Sequence, residues 1–357
     1  MLQRKIPCLL MRGGTSKAAC FLREDLPASR ELRDAVLLSV MGSPDARQID
    51  GIGGADPLTS KVAIVQRSNR PDCDVDYLFA QVKVDQPFVD YGQNCGNILA
   101  AVGAFAIERG LVAASSPFTQ VRVFMENTAR TVMLTVPCDA DGVLYQGDVR
   151  IDGVPGSAAG IELFFLSQND AQIDRTFPTG QMRETLLDIE ATCIDNGMPV
   201  VLLRAADIGL SGHEPAQSLE QNGALMETLE AIRLLAGERI GLGDVATRTV
   251  PKIILLAPAG QAQHITTRSF SSQRCHRAIG VFAAISVASA WLTPGTLVSS
   301  IVPAPTGEGE FAVHLEHPSG VFSTQVTLSA EGKLSGCRVL RTARLLFAGD
   351  VMVPAAF

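Results

Sequence analysis

The segment Asp90-Tyr91-Gly92-Gln93-Asn94-Cys95-Gly96-Asn97 runs directly into an apolar stretch with helical spacing, Asn97–Glu108. That order puts Cys95 at or just before a first helical turn. Unpaired N–H groups and the dipole at a helix start favour an anion, so a thiol there is expected to ionise readily. Gly92 and Gly96 permit close approach of backbone to a ligand. Most cysteines are inert packing residues, but a packing cysteine has no need of such polar neighbours. The second candidate is Lys61, which ends Asp56-Pro57-Leu58-Thr59-Ser60 and opens the strand-like run Val62–Val65. A lysine at a strand mouth is usually a solvated end-cap. Turned into dry surroundings it gives up its proton more easily and becomes a base.

Other groups could hold an anion. Met11-Arg12-Gly13-Gly14-Thr15-Ser16-Lys17 combines paired glycines with hydroxyl and N–H donors, and Asp50-Gly51-Ile52-Gly53-Gly54 is similar. Neither has Walker or dinucleotide-fold spacing, and glycine-rich turns are more often plain turns. In the second half, Gln273-Arg274-Cys275-His276-Arg277 brings two guanidinium groups and an imidazole to an expected helix start. Cations there oppose the dipole, which an anionic ligand would explain. His317-Pro318-Ser319-Gly320 reads as a further anion-binding turn, while His264 and His314 read as surface or strand residues. No metal, nucleotide or flavin motif is present.

The elements that must position these groups recur. Strand-like runs cover Ala18–Leu22, Val62–Val65, Tyr77–Val84, Val121–Phe124, Val132–Val136, Val200–Leu203, Ile253–Leu256 and Phe322–Leu328. Two nearly uncharged helical patterns, Asn97–Glu108 and Arg277–Ala290, should be buried on most sides. They fall into a repeat: turn–strand at Arg12–Leu22 and Asp195–Leu203, lysine–strand at Lys61 and Lys252, cysteine–helix at Cys95 and Cys275. Three matches in order predict two pseudo-symmetric lobes, 1-180 and 181-357, with a hinge near Gln168–Glu184 and a polar loop over Ser211–Asn222. Ligands would enter between the lobes, where pockets concentrate.

At 357 residues the chain is long for one core, and 46% apolar with 19% charged residues suits a folded protein. Aromatics are only 5%, so the core rests on Ala, Val, Leu and Ile. The net charge of −7 argues against nucleic acid or an anionic membrane as partner. Eight scattered cysteines without CxxC pairs read as reduced thiols, a cytoplasmic pattern. No signal peptide is apparent, and the longest apolar run, near Ala283–Trp291, is too short to span a bilayer.

With these motifs in view, the sequence resembles the PrpF-type isomerases along its whole length, from Met11–Lys17 through Thr59–Val65 and Gly92–Asn97 to Arg341–Val351. The stretch Met41–Gly54 is closest to the oxalomesaconate tautomerase branch. The resemblance implies an α+β, diaminopimelate epimerase-like fold of two lobes, each a sheet or barrel round a central helix. It implies no cofactor and no metal. It assigns acid–base roles to Lys61 and Cys95, without saying which is acid and which is base. Substrate-binding roles would fall to Thr15, Ser16, Gly96, Asn97, His276, Arg277, Ser319 and Gly320. The implied partner is a small unsaturated di- or tricarboxylate undergoing a 1,3-proton shift, 4-oxalomesaconate first and 2-methylaconitate as the alternative. The assembly it leaves open is a homodimer. Cys275 keeps a two-thiol amino-acid epimerase open, and a non-catalytic anion-binding protein remains the rival of another class.

Overall fold

The computed structural model describes residues 3–166, 176–271, 274–304, 307–330 and 334–355. The chain divides into two compact units, Met1–Leu163 with Leu340–Phe357, and Phe164–Val339. The sequence reading placed a single boundary at 180. The structure instead returns its last stretch to the first unit, because a strand near the C-terminal end pairs with the first strand. Of the expected hinge, residues 168–175 lie outside the described residues.

In the first unit the strands are β1 (Gln3–Gly13), β2 (Ser16–Leu22), β3 (Lys61–Arg67), β4 (Val75–Val82), β5 (Val89–Asp90), β6 (Phe118–Met125), β7 (Arg130–Asp139) and β8 (Gly142–Val143), and β9 (Gly160–Leu166) begins in it and runs on into the second. β1 and β2 form a hairpin, β2 runs parallel to β3, and β3 is antiparallel to β4. β4 is antiparallel to β5 and parallel to β6, and β6 and β7 form a second hairpin. Helix α1 (Arg30–Met41) starts on Ser29, whose side chain accepts the N–H of Leu32, the usual relief for a helix start. Its Val36, Leu37, Val40 and Met41 pack on one face of the sheet, with Cys8, Ala19, Phe21, Val62, Ile64, Ala80 and Val82. Side chains alternate along a strand, so the opposite face carries Ser16, Ala18, Lys61, Phe79 and Gln81 in register.

That second face is covered by α2 (Gly96–Glu108), whose residues from Gly96 to Ala106 are all buried. Gly13, opposite Ser16 in the hairpin, is what lets α2 come so close. A Cβ on Gly13 would sit 2.4 Å from the carbonyl oxygen of Asn97 and 3.2 Å from Cβ of Ala101.

The second unit repeats the ladder. Its strands are β10 (Glu184–Leu186), β11 (Ile189–Asp195), β12 (Pro199–Arg204), β13 (Lys252–Pro258), β14 (His264–Ser271), β15 (Arg274–Cys275), β16 (Gly309–His317) and β17 (Gly320–Leu328). β11 and β12 form a hairpin, β12 is parallel to β13, and β13 is antiparallel to β14. β14 is antiparallel to β15 and parallel to β16, and β16 and β17 form a hairpin. From β11 to β17, each pairing therefore has its counterpart from β1 to β7. His264 and His314 lie opposite each other on β14 and β16.

Two helices, α3 (Ala216–Glu220) and α4 (Gly223–Arg239), occupy the place that α1 holds in the first unit. α3 lies inside the segment read as a loop. Its Ala216 and Leu219 are buried, and tertiary packing of these two outweighs the polar composition around them. α5 (Val281–Leu292) is buried at every position. It is anchored to the β11–β12 turn by Ser286 and Ser289, which accept hydrogen bonds from Asn196. β18 (Leu334–Pro354) pairs with β17 and then, over Ala343–Pro354, with β1. No helix among the described residues is long and apolar enough to cross a membrane.

Candidate active site

Lys61 is the first residue of β3 and only 7% exposed. Its Nζ donates to Oε1 of Gln81, directly opposite on β4, at 2.5 Å, and lies 5.3 Å from the ring centroid of Phe79. Burial pushes its pKa below the ordinary lysine value, because a dry setting penalises the ammonium. The charges of Cys95 and Asp56 act against that fall. Both residues belong to the first unit, Lys61 on the sheet face that α2 covers and Cys95 at the start of α2.

Cys95 is the N-cap of α2, and no side chain caps this helix start. The first N–H groups of α2 have no intrahelical acceptor. Cys95 is half-buried, whereas Cys8, Cys20, Cys73, Cys138, Cys193, Cys275 and Cys337 are buried. The loop that delivers it is held from below by the β6–β7 turn. Asn127 donates to the carbonyls of Phe79 and Tyr91 and accepts from the N–H of Phe79, all at 2.8–2.9 Å. Asn94 donates to Thr128 Oγ1 at 2.6 Å. The sequence reading passed over Asn127 and Gln81. The signal was available: an uncharged amide inside the largely apolar run Tyr77–Val84, and an Asn-Thr pair between two strands.

Thr15, Ser16, Gly96 and Asn97 assemble round the same helix start. Asn97 Nδ2 donates to Thr15 Oγ1 at 3.1 Å. Ser16 is 2% exposed and its hydroxyl has no hydrogen-bond partner, while it shares the sheet face of Lys61. Arg12 ties the turn down from behind, donating to the carbonyls of Gly14 and Thr342 and to Thr342 Oγ1.

His276, Arg277, Ser319 and Gly320 lie in the second unit. Ser319 Oγ donates to the Arg277 carbonyl at 2.5 Å, and the Ser319 N–H donates to His317 Nδ1 at 3.2 Å, within the β16–β17 turn that Gly320 closes. The expected helix start at Arg277 is corrected: α5 begins at Val281, with Gly280 as its N-cap. Arg274 and Cys275 are spent on β15, and His276 Nδ1 accepts the N–H of Ala278, which makes a turn instead of a helix. Arg277 is 55% exposed and faces Glu220 at 3.7 Å, so that cation already has a carboxylate partner.

The repeat also separates the two cysteines that the sequence paired. Lys252 is the true counterpart of Lys61, opening β13 and donating to Ser271 Oγ at 2.6 Å across the same antiparallel pair. Cys95, however, matches Gly280 at the helix cap. Cys275 belongs to the apolar cluster formed with α3 and α4, beside Phe270 and Leu255, and no α5 residue is in that cluster. Burial pushes its thiol up to about 12, with Arg268 pulling the other way. Among the described residues no three His, Cys, Asp or Glu side chains are grouped as a metal site.

Two units that repeat one ladder, each with its own buried helix, define the diaminopimelate epimerase-like fold. The sequence pattern of the PrpF protein family matches residues 3–354. Over 353 residues, 99% of this chain and 97% of the relative, the chain is 56% identical to the 4-oxalomesaconate tautomerase of Pseudomonas putida. It is 50% identical over 347 residues, 97% of each chain, to the (4E)-oxalomesaconate Delta-isomerase of Novosphingobium sp. strain KA1. Among solved structures, methylitaconate-delta-isomerase superposes with a TM-score of 0.78 at 35% identity, covering 99% of this chain and 97% of that one. The chain belongs to the PrpF family of isomerases.

Proposed function

We propose that the protein tautomerises 4-oxalomesaconate by a 1,3-proton shift, with Lys61 and Cys95 as its acid–base pair. The observation that carries this reading is the buried amine of Lys61, held on an uncharged acceptor on the sheet face that α2 covers, with Cys95 at the start of α2. The two oxalomesaconate enzymes at 50% identity or more support the choice of substrate.

One member of the pair takes the proton from the sp³ carbon between the double bond and the carbonyl. The C–H electron pair spreads over the unsaturated system as a dienolate. The partner returns a proton to the far atom of the three-atom unit, so atoms and charge balance over the cycle. Lys61 suits the base role, since burial favours its neutral form. The dienolate charge would be met by fixed donors: the N–H groups of Gly96 and Asn97, and the hydroxyls of Thr15 and Ser16. Ser16 fits that task because its buried hydroxyl has no partner of its own. The two-thiol epimerase reading loses support, since the second helix is capped by Gly280 and Cys275 is packed in a core.

The test follows turnover of 4-oxalomesaconate and 2-methylaconitate by ultraviolet absorbance, with solvent deuterium incorporation measured beside it. Lys61→Ala and Cys95→Ser should each abolish exchange while substrate still binds. Exchange that survives both changes removes the assigned chemistry. Faster turnover of 2-methylaconitate would move the protein to the other branch of the family.

A further inference from the structure

Gln81 is 5% exposed and sits near the end of β4 between the buried Ala80 and Val82, a costly place for an amide unless every polar atom is used. Its Nε2 donates to the carbonyls of Ser60, at 2.8 Å, and Pro57, at 3.1 Å. Carbonyls cannot donate, so these two contacts fix which way round the amide sits: the NH₂ faces the Pro57–Ser60 turn and Oε1 is turned to Lys61 Nζ. The turn is itself pinned, because Ser60 Oγ donates to the Val82 carbonyl and accepts from Gln48 Nε2 at 2.7 Å. The direction of Oε1 is thus set by backbone on two sides.

We propose that Gln81 is the positioning residue of Lys61: its amide oxygen fixes one amine N–H, and hence limits where the nitrogen lone pair points, without adding a charge. This rests on the proton-shift reading given above and deepens it. A neutral acceptor suits a base better than a carboxylate would. A carboxylate at this distance would hold the amine as ammonium and raise its pKa by roughly 1–3 units. An apolar side chain would leave the amine free to rotate, and a misdirected base loses roughly 10- to 100-fold in rate.

The chain has six lysines, so a sample labelled at lysine ¹³Cε gives few signals, and that of Lys61 is the one lost in Lys61→Met. The titration midpoint of this signal and the pH profile of kcat/KM are measured for the native protein, Gln81→Met and Gln81→Glu. In Gln81→Met the ammonium loses an acceptor, so midpoint and acidic limb should move down together. KM should stay within about threefold while kcat falls by the factor above. In Gln81→Glu both should move up by at least about one unit. Opposite movements in two variants of one position are not produced by a merely structural role, and thermal melts show whether each variant is folded. A Lys61 midpoint that is the same in both variants overturns the inference. Because the titration does not depend on turnover, it tests Gln81 even if Lys61→Ala keeps its exchange activity and the functional reading fails.

Discussion

Gly13→Ala is the sharpest single perturbation of the candidate site, since it adds one methyl group where α2 crosses the β1–β2 hairpin. The new Cβ would stand 2.4 Å from the carbonyl oxygen of Asn97 and 3.1 Å from Cα of Ile98, against an ordinary contact of 3.4 Å or more. The obstacle is backbone, so no side chain can swing away. Either the start of α2 or the hairpin must give by about 1 Å, the displacement at which positioned catalytic groups lose about 100-fold in rate. That factor corresponds to roughly 2.7 kcal/mol of barrier. Overpacking adds a stability cost of about 1–3 kcal/mol. The assay is steady-state turnover together with solvent deuterium incorporation and a urea melt. The expected pattern is a fall in kcat of about two orders of magnitude, with the protein still folded and KM raised less. A variant with native kcat and native stability would show that α2 does not need this close crossing, and the placement of Cys95 relative to Lys61 would have to be rethought.

Two further substitutions separate chemistry from support. Cys275→Ser should retain native kcat while losing about 1–3 kcal/mol in denaturant melts, because a hydroxyl replaces a thiol inside the α3–α4 cluster; loss of turnover without loss of stability would restore the two-thiol reading. Asn127→Ala removes three hydrogen bonds that join β4, the Tyr91 carbonyl and the β6–β7 turn, and should cost about 2–4 kcal/mol and lower kcat more than it raises KM. Unchanged kcat would mean that the loop before Cys95 holds its shape without Asn127.

Much of this site could be read from the chain because its parts are local. Cys95 before an apolar helix and Lys61 before an apolar strand are patterns within a few residues, and both lie where expected. The repeat was legible for the same reason, through strand mouths and turns. What escaped is non-local. The boundary at 180 missed that β18 returns to β1, a pairing no short pattern announces. α5 begins four residues late because His276 and Ser319 take up backbone groups that a helix would have used. Cys275 looked like the partner of Cys95 because it too preceded an apolar helix. Only the strand register shows that its side chain belongs to the core on the other face. Gln81 and Asn127 matter through what lies opposite them, which a single sequence does not display.

The route of β18 bears on how this molecule is made. Arg12 and Gly14 are fastened to Thr342, some 330 positions further on, and β1 finds its outer neighbour only in Ala343–Pro354. That segment follows the whole second unit in the chain, so the turn bearing Thr15 and Ser16 waits for it to emerge. The second unit, by contrast, has its ladder from β11 to β17 within one continuous stretch and can form while synthesis continues. The half holding Lys61 and Cys95 is then the last to close, and chains cut short before Thr342 would lack the clasp that seats α2.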